Sequence, residues 1–191
     1  MVASGTDLSL IKQNSFKNKK KRNTKYPLLP KNLVELELTN FNGYLPTWTR
    51  DLCYLKRLRL MAGCKIIIRP GCLPPTLTHL TWGTNQELKP NVLPHGLLVL
   101  KIIGYSHSTM ALPSTLNSLY IKQNPKPTRY FFNYICPGML PEKLKILHLD
   151  YTIALDPDAI PSSLTKIIFG IHYDKSKRPV NLSNNIICHW L

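Results

Sequence analysis

The chain has 191 residues, 43% of them apolar, and a formal net charge of +15. That length and apolar share suit one folded domain with its own core and argue against a wholly disordered chain. The basic excess favours an anionic partner, such as nucleic acid, an anionic membrane surface or an acidic protein, and the ten acidic residues leave little material for carboxylate catalysis.

Residues 1–27 read as a disordered basic arm. Lys12, Lys17, Lys19, Lys20, Lys21, Arg22 and Lys25 set against Asp7 give the start of the chain a charge of +6. A like-charged polar run of this kind cannot bury enough apolar area to fold. Lys17, Lys19, Lys20, Lys21, Arg22 and Lys25 are candidates for a nuclear-import or nucleic-acid-contacting arm; the plainer reading is a solvated tail. Met1–Ile11 lacks the charged-then-apolar order of a signal peptide. No apolar run is long enough for a membrane span. An intracellular location, cytoplasmic or nuclear, is the expectation.

From Leu29 a repeat dominates. Leu29-Pro30, Leu73-Pro74, Leu93-Pro94, Leu112-Pro113, Leu140-Pro141 and Ile160-Pro161 open six copies, and Asp51-Leu52 opens one without the proline. Counted from the proline or Leu52, the gaps are 22, 22, 20, 19, 28 and 20 residues. A fixed period of about 20 residues marks a stacked-repeat solenoid. Apolar residues fall three, six and eight positions after each anchor. Examples are Leu77, Leu80 and Trp82, or Leu116, Leu119 and Ile121. The last two positions are two apart, the period of a strand. The first two are three apart, which fits a tight turn leading into it. The proline stands before the strand, where its missing N–H removes no ladder bond.

The expected fold is therefore mainly β with short helical or irregular turns, a leucine-rich-repeat-like solenoid over residues 28–175. Its parallel sheet should hold about seven short strands. An all-helical solenoid is excluded by the short period and by sixteen prolines. Residues 176–191 read either as an apolar tail or as a partial capping repeat.

The repeats resemble the FNIP repeat family of social amoebae and giant amoebal DNA viruses. The likeness is carried by Leu112-Pro113-Ser114-Thr115-Leu116, by Ile160-Pro161-Ser162-Ser163-Leu164 and by Leu73-Pro74-Pro75-Thr76-Leu77-Thr78-His79-Leu80. Gly83 and Gly170 stand where the family has glycine after the strand. Phe41-Asn42 and Phe132-Asn133-Tyr134-Ile135 resemble the Phe-Asn half of the repeat, which the other units have lost. The resemblance implies a leucine-rich-repeat-type scaffold. Some members carry an F-box, but the residues ahead of Leu29 are too few and too polar for one, so no ligase role is carried over. Bacterial effector repeats share Leu-Pro-x-x-Leu-x-x-Leu but place asparagine eleven residues after the proline. Only Asn85 and Asn124 meet that pattern here.

In such a stack, positions five, seven and nine after each anchor should form three outward columns. The first holds Glu35, Arg57, His79, Val99, Ser118, Ile146 and Lys166. The second holds Glu37, Arg59, Thr81, Lys101, Tyr120, His148 and Ile168. The third holds Thr39, Met61, Gly83, Ile103, Lys122, Asp150 and Gly170. Glu35 should lie beside Arg57, and Glu37 beside Arg59. Arg57, Arg59, His79, Lys101, Tyr120 and His148 are the candidate protein-binding residues, because Arg and Tyr are enriched at interface hot spots. The long unit carries an insertion around Asn124–Arg129, stiffened by Pro125 and Pro127.

No phosphate loop, His-Glu-x-x-His or Gly-x-Ser-x-Gly occurs. The five cysteines form no Cys-x-x-Cys pair, so neither a zinc site nor a disulfide framework is expected. Asp156-Pro157-Asp158 reads as a turn. No enzyme activity, cofactor or metal is expected. The sequence points to a monomeric scaffold that binds a protein, such as a host protein, through its strand-lined face. The alternative is a nucleic-acid-associated protein that uses the basic arm and repeats.

Overall fold

The computed structural model describes residues 32–40, 42–44, 52–61, 63–84, 88–89, 91–104, 112–122, 134–151, 153–179 and 182–191. The basic arm and the Asn124–Arg129 insertion lie outside them. In chain order the strands are β1 (Glu35–Leu38), β2 (Asn42–Tyr44), β3 (Arg57–Leu60), β4 (Lys65–Ile67), β5 (His79–Trp82) and β6 (Val99–Ile103). They continue with β7 (Ser118–Lys122), β8 (Tyr134–Ile135), β9 (Ile146–Tyr151), β10 (Ala154–Leu155), β11 (Lys166–His172) and β12 (Ile187–Trp190).

Eight of these strands form one sheet in the order β1-β3-β5-β6-β7-β9-β11-β12, and every pairing in it is parallel. The remaining four make two small parallel pairs, β2 with β4 and β8 with β10. These belong to the second halves of the repeats, where little sequence pattern survives.

One joint is repeated along the stack. The units anchored from Leu52 to Pro161 enter through a turn closed by an N–H three residues after the anchor, as in Leu77 to the Pro74 carbonyl at 3.1 Å and Leu144 to Pro141 at 3.0 Å. The carbonyl four residues after the anchor then accepts two amides from the next unit. Thr78 and His79 both donate to the Lys56 carbonyl, and Thr165 and Lys166 both donate to Lys145. The hydroxyl two residues after the anchor adds a third link. Thr76 donates to the Leu55 carbonyl at 3.1 Å, Thr115 to Leu97 at 3.0 Å and Ser163 to Leu144 at 2.6 Å. The Ser or Thr of the repeat motif thus ties its unit to the one before.

The core is the predicted apolar triple, stacked. Leu55, Leu77, Leu97, Leu116 and Leu144 are each fully buried, as are Leu100, Leu147, Leu149, Ile167 and Phe169. At the β1 edge Leu38 is only partly buried, because among the described residues it has a neighbouring unit on one side alone.

The sheet has one strand more than the seven that the spacing predicts. β12 pairs with β11 from Lys166↔Ile187 to Phe169↔Trp190. Trp190 stacks on Phe169 with ring centroids 4.5 Å apart, and Tyr173 lies 4.6 Å from Phe169. The Tyr173 hydroxyl donates to the Ile153 carbonyl at 3.1 Å. Asp156 behaves as the sequence suggested: it caps a 3-10 turn over Pro157–Ala159, accepting the Asp158 N–H at 3.0 Å.

Candidate protein-binding face

The parallel register brings the candidate residues together. Glu35↔Arg57↔His79↔Val99 form one row across β1, β3, β5 and β6, and Glu37↔Arg59↔Thr81↔Lys101 form the next. The second row continues through Tyr120 and His148. All six predicted residues therefore lie on one face of the sheet, opposite the core side chains that alternate with them.

At the β1–β3 end, Arg59 is shared by two carboxylates. Its Nη2 lies 3.2 Å from Glu35 Oε1 and its Nη1 lies 3.4 Å from Glu37 Oε2. Arg57 reaches Glu35 only at 3.9 Å. The pairing is therefore a diagonal network, with Glu35 closer to Arg59 than to its direct neighbour Arg57. All four side chains are about half exposed, so each contact contributes little, roughly 0–1 kcal/mol.

Further along, the track is a chain of ring contacts. Lys101 Nζ stands 5.8 Å from the Tyr120 ring centroid, and Tyr120 meets His148 edge-on at 4.2 Å. Burial pushes the Tyr120 hydroxyl above its ordinary pKa, and Asp150 adds to that. His148 is pushed down, first by burial and then by Lys101 and Lys122, against an opposing pull from Asp150. Its Nε2 is buried and has no hydrogen-bond partner among the described residues. His79 is also pushed down, by burial and by Arg57 and Lys101, against Glu35. Both shifts favour the neutral imidazole. Thr78 Oγ1 lies 2.9 Å from His79 Nδ1 and fixes the ring.

The third predicted column does not face outward as a whole. Asp150 is 5% exposed, and Gly83 and Gly170 are buried. The strand ladder becomes irregular there, with a register shift between Phe169 and His172. Gly170 is packed over Asp150 so closely that a Cβ would lie 2.7 Å from the Asp150 Cα. Lys122 reaches in to pair with the carboxylate at 3.2 Å, and this contact raises the Lys122 pKa. The Lys122–Asp150 pair was not singled out from sequence, although the two residues stand next to each other in that column.

A groove of about 420 Å³ opens on this face over β3, β5 and β6. It gathers Glu37, Arg57, Arg59, His79, Thr81 and Lys101 and adds three apolar residues that the sequence placed in the outward columns but not among the binding candidates: Met61, Val99 and Ile103. Tyr120 and His148 lie beyond its Lys101 wall. Among the described residues no group of His, Cys, Asp and Glu could hold a metal, and no helix is long and apolar enough to cross a membrane.

Stacked parallel strands with an alternating core define a leucine-rich-repeat-type solenoid. Residues 67–105 and 132–172 match the family model described as FNIP Repeat. In fold it is similar to the giant-virus protein CroV588, described as a novel circular LRR protein, with a TM-score of 0.54 and 22% identity. The alignment covers 85% of this chain but only 27% of that one. No curated protein matches the chain.

Proposed function

We propose that this chain is a non-enzymatic recognition scaffold that binds a partner protein through the strand-lined face. One observation carries the reading. The register places Arg57, Arg59, His79, Lys101, Tyr120 and His148 side by side on the face opposite the core. Arg and Tyr supply contact area and donors at protein interfaces, and a grooved sheet of this kind presents them on a rigid backbone. The repeat-type fold supports a scaffold role.

The test is a pull-down from nuclease-treated amoebal lysate, with the full chain and with a Tyr120→Ala/Lys101→Ala double variant. The expected result is a protein retained by the full chain and bound at least about ten-fold more weakly by the variant, whose melting temperature is unchanged. A partner held equally by both would remove this face from recognition. Capture that disappears with nuclease would assign the chain to nucleic acid instead, with the basic arm and basic repeats as its contacts.

A further inference from the structure

The groove has a shape and charge that narrow what can fill it. On β5 the outward positions are His79 and the smaller Thr81, and the buried Gly83 follows just past the strand's end. On either side the neighbouring strands carry longer groups. Arg59 and Met61 stand on the β3 side, and Lys101 and Ile103 on the β6 side. Strands are about 4.8 Å apart, so the two walls are roughly 10 Å apart with a low floor between them. This is a trough along β5, closed by His79 at one end.

At the level of Thr81 its walls carry Arg59, with Glu37 beside it, and Lys101; at the next level they carry the apolar Met61 and Ile103. The two levels are two residues apart along the strand, about 7 Å. That is also the spacing of side chains i and i+2 in an extended peptide, which point the same way. Arg59 is already neutralised by Glu35 and Glu37. Among the described residues no carboxylate pairs with Lys101, whose ammonium lies beside the Tyr120 ring.

Resting on the protein-binding reading above, we propose that this trough takes an extended segment of a partner protein that carries an acidic side chain and an apolar side chain two residues apart. The carboxylate sits against Lys101 beside Thr81, and the apolar side chain sits between Met61 and Ile103. A phosphate backbone fits the site less well. The Met61–Ile103 end offers no side-chain donor to a phosphate and suits an apolar side chain.

The experiment is selection of random peptides displayed on phage against the full chain, followed by titration of the consensus peptide. The expected consensus holds Asp or Glu two positions from Leu, Ile, Met or Phe. Its affinity should fall at least about ten-fold in Lys101→Glu. Thr81→Trp fills the floor without changing charge and suits a strand, so it should abolish binding while the chain stays folded. No enrichment, a consensus without an acid, or full binding to Thr81→Trp would each overturn the assignment. A labelled single-stranded oligonucleotide that binds in place of the peptide and is lost in Thr81→Trp would give the trough to nucleic acid. If the peptide selection fails while the lysate partner still depends on Tyr120 and Lys101, the face remains the interface and only the trough's occupant is wrong.

Discussion

The β1–β3 end of the sheet and the β9–β12 end are built on the same core rule and carry different faces. At the first end the outward residues are Glu35, Glu37, Arg57 and Arg59, exposed and linked by loose ion pairs. At the other, the outward positions hold Ile146, His148 and Ile168, with Asp150 buried beneath Gly170. The core triples hardly change between them. Leu55, Leu58 and Leu60 at one end and Leu164, Ile167 and Phe169 at the other are all buried. The lesson is a division of labour within one strand: inward positions must match the neighbouring unit, whereas outward positions need not. Recognition can vary along the face without touching what holds the stack together.

Three changes probe that division, beginning with the core. Leu119→Ala in the middle of the stack should cost about 2–5 kcal/mol and lower the melting temperature by on the order of 10 °C. Leu36→Ala, in the edge strand β1, should cost less, because among the described residues it has a neighbouring unit on one side alone. Equal losses in thermal melts at the two positions would mean that stacking on both sides adds nothing. On the face, Lys122→Ala leaves the buried Asp150 carboxylate without its ion pair and should cost about 1–3 kcal/mol. Arg59→Ala at the exposed end should cost under about 1 kcal/mol. Urea unfolding of the two variants compares the ends directly, and an Arg59 loss as large as that of Lys122 would erase the distinction. Adding Asp150→Asn to Lys122→Ala should recover much of its loss.

The smallest effect is in pH. His79 and His148 have pKa values lowered in the folded chain, so the unfolded chain binds more protons between the lowered values and about 6.5. Their contribution to stability is full above about pH 6.5 and declines as pH falls through the lowered folded values. Melting temperatures measured down that range should fall, and the slope should be shallower in His148→Gln. An identical slope would place the pH dependence elsewhere.

The core and its register were legible because they obey packing alone. Every unit must bury the same three positions against its neighbour, so the pattern repeats and can be read. The outward columns at positions five and seven were legible for the same reason, since alternation fixes which side chains face away. The third column was misjudged at Asp150 and Gly170, where the ladder shifts after Phe169, which no spacing announces. The eighth strand lacks the Leu-Pro opening. Its turn closes from Ile186 to Ser183, one residue nearer the strand than in the unit before it. Its signal was the simple alternation Ile186, Cys188, Trp190. The groove could not be read from any one unit. It opens over Thr81, which is small while Arg59 and Lys101 on the neighbouring strands are large, a difference between repeats.

The shared carbonyl and the hydroxyl link make the junction between successive units nearly the same wherever it recurs. A gene duplication or loss of one such unit would therefore lengthen or shorten the sheet by a single strand, about 4.8 Å, and leave the joints on either side intact. What would change is the order of residues across the outer face. Lineages could in this way rearrange a binding surface by copying whole units, without having to evolve a new core each time.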